Sequence, residues 1–450
     1  MKKKVLWIVL FSLVLLANSQ SPAGHLGLFH QGIPHRPLAG GAFVPGQLVV
    51  KLAPAILGHD NPGRTGRPAD IESHPERVLK ARYRDRVWAV DRDRYCGYYV
   101  VKAAAGCDLE TLRTRLLEDP LIQDVSYNYL ASITRQAPND PMFNYQYALS
   151  NQGQVYEPAL ELSGQAGSDI KALDGWDWST GSEEVVIAVI DTGVALDHED
   201  LVGKVIPGYN FVADNDNPYD DHGHGTFVSS IAAAASDNGL GIAGVCWKGK
   251  IMSIKVADAT GIAPYLTIAA GIRYAADHGA QILNLSMGGM SSSFILEDAC
   301  HYAYEKGCVI VASSGNYGGK VLYPAAYDDY CLAVAATDAH DQVPTWSNFG
   351  PQVDVAAPGF FVLGARYLPA TPLVLNAYGW GSGTSFSAPQ VAGAAALLIG
   401  YKPFLTNGEV MALIKYTAAD INADTLPGED DDIGYGRLDL KTLLAPFELD

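Results

Sequence analysis

The sequence predicts an α/β fold: a mostly parallel sheet with helices on both faces, preceded by a small α+β domain. Two patterns predict the main body. Short, continuous, β-branched runs recur at Val185–Ile190, Ile251–Val256, Gln281–Leu285, Cys308–Ala312 and Leu332–Ala336, as strands buried on both faces require. Alanine-rich segments of helical length, such as Leu266–His278 and Ser293–Lys306, lie between them. That alternation is the pattern of strand–helix–strand units. A third pattern predicts the smaller domain, where strand-like segments flank one helix between residues 46 and 130.

In chain order, residues 1–19 read as a secretory signal. Lys2, Lys3 and Lys4 form its charged start, Val5 to Leu16 its apolar middle, and Ala17-Asn18-Ser19 a small-residue cleavage site. The apolar run is short for a bilayer span. No stable membrane anchor is expected after cleavage, and the product is expected to be extracellular. Residues 20–45, rich in Gly, Pro and His, form a lead-in. Gly46–Leu52 and Tyr98–Lys102 read as strands, Asp108 as the N-cap of a helix, and Ile122–Tyr129 as an alternating strand. The polar stretch Thr134–Pro141 reads as an exposed linker. The expected divisions are therefore 1–19, 20–136 and 137–450.

Net charge is −18 and unevenly spread: residues 20–136 carry +3 and residues 137–450 carry −24. An acidic main body argues against nucleic acid as a partner. The six cysteines fall as Cys96 and Cys107 in the first part, and Cys246, Cys300, Cys308 and Cys331 in the second. An even number in each part permits disulfides in a secreted chain, with buried free thiols as the alternative. No Cys/His cluster has the spacing of a zinc site.

Four segments carry chemistry. Asp191 closes an apolar strand at its carboxyl end, the edge where α/β sheets build their sites. A carboxylate there can hold an imidazole in one tautomer. His224 begins a run of small residues that reads as a helix, with His222 as a rival base. Ser385, in Gly383-Thr384-Ser385-Phe386-Ser387-Ala388-Pro389, lies in the first turn of another small-residue helix. Unpaired N–H groups and the positive end of the helix dipole favour an oxyanion at that point. Asn316, in Ser314-Gly315-Asn316, offers a side-chain N–H to the same charge. Taken singly, each residue also has an ordinary use as a cap or turn former.

Together these segments resemble those of the subtilisin-like serine proteases, the subtilases, over nearly everything after residue 137. The resemblance implies a subtilisin-like fold, with Asp191 as orienting acid, His224 as general base, Ser385 as nucleophile and Asn316 as oxyanion donor. It implies substrate binding by Gly261, Ile262 and Ala263 through strand addition, and by Ser286, Met287 and Gly288 beside the first specificity pocket. It implies no cofactor for catalysis and a structural calcium held by Asp200 and Asp237. A second oxygen-rich cluster is Asp214, Asn215, Asp216 and Asp221. The unit at 46–130 resembles a propeptide that assists folding and then blocks the cleft.

Three departures from the family pattern stand out. Phe227 replaces a second His, His222 replaces an Asn, and Phe386-Ser387 replaces a Met-Ala pair. The loop Tyr317–Leu322 is short. Met287, Leu322 and Tyr317 imply an apolar or aromatic preference at P1. The expected protein is thus a secreted, monomeric serine endopeptidase acting on polypeptides, made as a zymogen and inhibited by its own propeptide. An inactive homologue acting as a binding protein and a serine-carboxyl peptidase are the alternatives.

Overall fold

The structure is a computed structural model that describes residues 43–53, 74–93, 96–129, 137–367 and 377–445. The expected leader and the start of the expected linker lie outside these residues. The chain forms two compact units that divide between residues 134 and 135.

The first unit is a four-stranded antiparallel sheet of β1 (Phe43–Leu52), β2 (Val87–Arg92), β3 (Tyr99–Ala103) and β4 (Ile122–Tyr129), ordered β2-β3-β1-β4. Helices α1 (Pro75–Arg82) and α2 (Leu109–Leu117) bury Leu79, Leu112 and Leu116 against Leu48, Val50 and Val101 of the sheet. Asp108 caps α2 as expected, its carboxylate accepting from the Thr111 N–H.

The second unit is built on a seven-stranded parallel sheet. Its strands are β5 (Val186–Asp191), β6 (Val205–Asn210), β7 (Lys250–Lys255), β8 (Ile282–Leu285), β9 (Val309–Ser313), β10 (Cys331–Thr337) and β11 (Val355–Pro358). The order is β11-β10-β9-β8-β5-β7-β6. From β5 the chain winds outward to one edge, then returns through β8 to the other. The crevice at the carboxyl ends of the strands about β5 is where such sheets place their sites.

Alternate residues of each strand serve opposite layers. Ile187, Val189 and Val311 face α3 (His224–Ala233) and α6 (Thr384–Tyr401). Ala188, Ile190 and Ile310 face α4 (Tyr265–Asp277) and α5 (Phe294–Glu305). Helix α6 is buried on all sides from Ser387 to Leu398 and runs through the core. Its Gly393 allows close packing, since a Cβ there would lie 2.8 Å from the Ala232 carbonyl oxygen on α3. A hairpin of β12 (Val362–Arg366) and β13 (Ala377–Gly381) leads into α6.

All six cysteines are free thiols, so the disulfides that the sequence permitted are not formed. Cys246 is buried on one face of the sheet, and Cys300, Cys308 and Cys331 on the other. There they pack as small apolar side chains.

Candidate active site

Three elements converge at the carboxyl end of the sheet. β5 ends on Asp191, which is fully buried. α3 begins on His224, and Gly223 before it turns the chain with φ 102°. A Cβ at Gly225 would lie 2.1 Å from the Gly193 carbonyl oxygen, so only glycine lets the helix start close on the strand end. His224 Nδ1 lies 2.8 and 3.0 Å from the two Asp191 carboxylate oxygens. Nε2 is thereby left as the working nitrogen of the neutral ring. His222 is exposed, its ring centroid 6.3 Å from that of His224. Of the two candidate bases, it is His224 whose ring meets the carboxylate.

Burial pushes the His224 pKa down, but the charge and hydrogen bond of Asp191, with the charge of Asp220, more than offset it. The imidazole titrates above its ordinary value. Asp220 was not singled out in the sequence. It is buried, and its carboxylate accepts from Thr192 Oγ1 and the N–H groups of His222 and Gly223 on one oxygen. Its other oxygen accepts from the Thr226 N–H and hydroxyl. Thr192 Oγ1 in turn accepts from the Gly225 N–H. This network pins the acid-bearing strand to the base-bearing helix.

Ser385 is the second residue of α6 and half-buried. Its hydroxyl donates to the Ser286 main-chain carbonyl at 3.0 Å. Asn316 lies just past β9 and is exposed. Its Oδ1 accepts from the Thr384 N–H at 2.8 Å and from the Thr384 hydroxyl at 3.0 Å. Those two donors fix which end of the amide is oxygen, and they leave Nδ2 at Gly383, two residues before Ser385, where a Cβ would lie 3.2 Å from it. Thr384 Oγ1 also accepts from the Gly315 N–H, so Thr384 sets the Asn316 loop. Neither Thr192 nor Thr384 was foreseen as more than part of its motif.

Two of the departures from the family pattern touch each other. The Phe227 and Phe386 rings lie 4.5 Å apart by centroid, and Phe386 lies 5.8 Å from the His224 ring. A Cβ at Gly364 would meet the Phe227 ring at 2.5 Å, and one at Gly381 would meet the Phe386 ring at 2.6 Å.

The proposed substrate edge is exposed at Gly261 and Ile262. The turn there engages the Gly261 N–H with the Asp258 carbonyl, and the Ile262 carbonyl with the Asp258 N–H. Ser286 is buried, Met287 half-buried and Gly288 exposed. Leu322 packs between Gly288 and Gly315, within 3.0 Å of a Cβ built on either glycine. Asp328 and Asp329 are both exposed.

The calcium residues are only partly brought together. Asp200 is buried and accepts from the Ile242 N–H, the Asn238 amide and the Tyr378 hydroxyl. Asp237 is exposed, and its carboxylate accepts from the Asn139 N–H. The acid that neighbours Asp200 is instead Asp140, which is buried and accepts from the N–H groups of Asp237 and Asn238. Burial raises the Asp140 pKa, and the charge of Asp200 adds to the rise. Burial likewise raises Asp200 against its hydrogen bonds. Two neighbouring desolvated carboxylates fit a hard cation. Among the described residues no three His, Cys, Asp or Glu side chains converge, so carbonyl and amide oxygens would complete any such shell. In the second cluster, Asp221 pairs with the buried Lys255 at 2.6 Å and Asp214 accepts from the Tyr209 hydroxyl. Those carboxylates are spoken for separately.

A parallel α/β sheet that presents an acid, an imidazole and a helix-start hydroxyl at one end is the frame of a serine hydrolase. The family model described as Subtilase family matches residues 182–436, and the chain belongs to that family. It is 37% identical over 332 residues to the thermophilic serine proteinase of Bacillus sp. strain AK1, covering 74% of this chain and 75% of that one. It is 39% identical to thermitase of Thermoactinomyces vulgaris, over 63% of this chain and 92% of that one. A solved protease structure from Pseudoalteromonas arctica PAMC 21717 superposes with a TM-score of 0.59 at 27% identity, covering 69% of this chain and 99% of that one. The protein is accordingly a serine endopeptidase, a hydrolase whose substrates are polypeptides. Among the described residues no helix is long and apolar enough to cross a membrane.

Proposed function

We propose that this chain is a secreted endopeptidase that works through Ser385, His224 and Asp191 and is made as a zymogen. The observation that carries the reading is the two-oxygen contact between buried Asp191 and His224 Nδ1, which readies Nε2 to take a proton. The Ser385 hydroxyl turns from the Ser286 carbonyl toward Nε2, gives up its proton and attacks the peptide carbonyl. Asn316 Nδ2 and the N–H groups at the start of α6 receive the oxyanion. Collapse expels the amine, which takes the proton from His224 and leaves an acyl-enzyme. Water, activated by the same imidazole, releases the acyl group.

The P1 side chain would lie against Leu322 and Met287. Asp328 and Asp329, the carboxylates nearest to that loop in sequence, are exposed, and a buried basic group would need a buried partner, which supports an apolar or aromatic P1. Residues 20–136 would be the propeptide and residues 1–19 the export signal. Calcium, where bound, would sit at Asp140 and Asp200 and stabilise the fold without entering the reaction. Labelling with a fluorophosphonate, located by peptide mass spectrometry, tests the reading. Modification of Ser385 is expected, and its absence in a folded, processed protein favours the binding-protein alternative.

A further inference from the structure

Resting on that reading, we infer that the Ser286 hydroxyl is a positioning group for the nucleophile, made necessary by Pro389. In α6 the carbonyl of Ser385 would ordinarily accept from the N–H four residues on. That residue is Pro389, which has none. The acceptor stands half-buried at the first turn of the helix. The Ser286 hydroxyl donates to it at 2.8 Å. Ser286 is buried, and its Oγ is oriented by the Asn284 amide, which donates to it at 3.0 Å from within β8. The same residue accepts the Ser385 hydroxyl on its own main-chain carbonyl. Strand end and helix start are therefore joined by two bonds of opposite sense.

The role differs from substrate contact. A main-chain carbonyl survives any substitution at Ser286, whereas the hydroxyl bond does not. Without that hydroxyl the Ser385 carbonyl loses its side-chain donor, which the missing N–H of Pro389 cannot replace, and the first turn shifts. The nucleophile and the N–H groups beside it move with that turn. A small misplacement of reacting groups is expensive in rate.

The test is a cycle of Ser286→Ala, Pro389→Ala and the double variant, with kcat, KM and the rate of fluorophosphonate labelling measured per titrated active site. Titration removes any unfolded fraction from the comparison. Ser286→Ala is expected to lower kcat by on the order of tenfold at nearly constant KM, with a matching fall in labelling rate. Alanine at 389 restores an N–H that can reach the Ser385 carbonyl. The cost of Ser286→Ala should therefore be markedly smaller in the Pro389→Ala background. Equal costs in the two backgrounds, or a loss confined to KM, would overturn the inference. A wild-type protein that takes no label at Ser385 would instead overturn the proposed function.

Discussion

Removing the Asn316 amide separates transition-state stabilisation from binding. In Asn316→Ala the free Nδ2 is lost, and with it one donor to the oxyanion. The loss of such a donor in a subtilisin costs about 2.7–4 kcal/mol, or roughly 10²–10³ in kcat. The structure adds a second effect of the same substitution. Oδ1 accepts two hydrogen bonds from Thr384, and each is worth about 1 kcal/mol of stability. The Thr384 N–H is buried at the helix start, so the variant should melt a few degrees lower. Asn316→Asp keeps the oxygen that Thr384 grips but has no amide donor to offer. It should retain more of the stability while losing at least as much kcat. Steady-state kinetics on a peptide substrate, with thermal melts of both variants, provide the measurement. A loss confined to KM, or an aspartate variant with near-native kcat, would refute the oxyanion role.

Ser385→Ala should abolish hydrolysis and, where maturation is autocatalytic, leave residues 20–136 attached on a gel; native cleavage rates would remove Ser385 as nucleophile. The pH dependence follows from the sign of the His224 shift. The base works as neutral imidazole, so kcat/KM should fall as pH drops through a pKa above the ordinary 6.5. Asp191→Asn removes the charge that lifts it, and should move this acid limb to lower pH while cutting the maximal rate; a limb that moves upward contradicts the pairing. Excess chelator should lower the melting temperature more than the initial rate of a short assay, since a bound ion stabilises the folded state by mass action. The isolated 20–136 segment should inhibit the mature enzyme in trans, and added salt should weaken this inhibition because +3 meets −24; a folded segment without effect at micromolar concentration removes the propeptide role.

The central strands were legible because burial on both faces leaves an uninterrupted apolar run, as in Ile187–Ile190 and Val309–Ala312. The edge strand Val205–Asn210 was not. It contains Pro207 and Gly208, which an edge tolerates and a run-based reading rejects. Gly208 is required there because a Cβ would fall 1.8 Å from the Ser253 carbonyl oxygen of the neighbouring strand. The site divides in the same way. Asp191, His224, Asn316 and Ser385 sit in motifs with fixed neighbours. Asp220 acts through five bonds to Thr192, His222, Gly223 and Thr226, which exist only once strand and helix have met. Asp140 is remote from Asp200 in sequence, and the resemblance that suggested Asp200 and Asp237 did not name it.

The contact between Phe227 and Phe386 makes four positions behave as one. Each ring fills space that a glycine of the β12–β13 hairpin leaves open, Gly364 for Phe227 and Gly381 for Phe386. A histidine placed at 227 alone would set a polar ring against Phe386, and a methionine at 386 alone would leave Phe227 without its aromatic partner. Residues exchanged singly with the family's commoner choices are thus non-additive here, although none of them takes part in the reaction. Redesign of the packing beside His224 has to move as a set: two aromatic side chains on two helices, and two missing side chains on one hairpin.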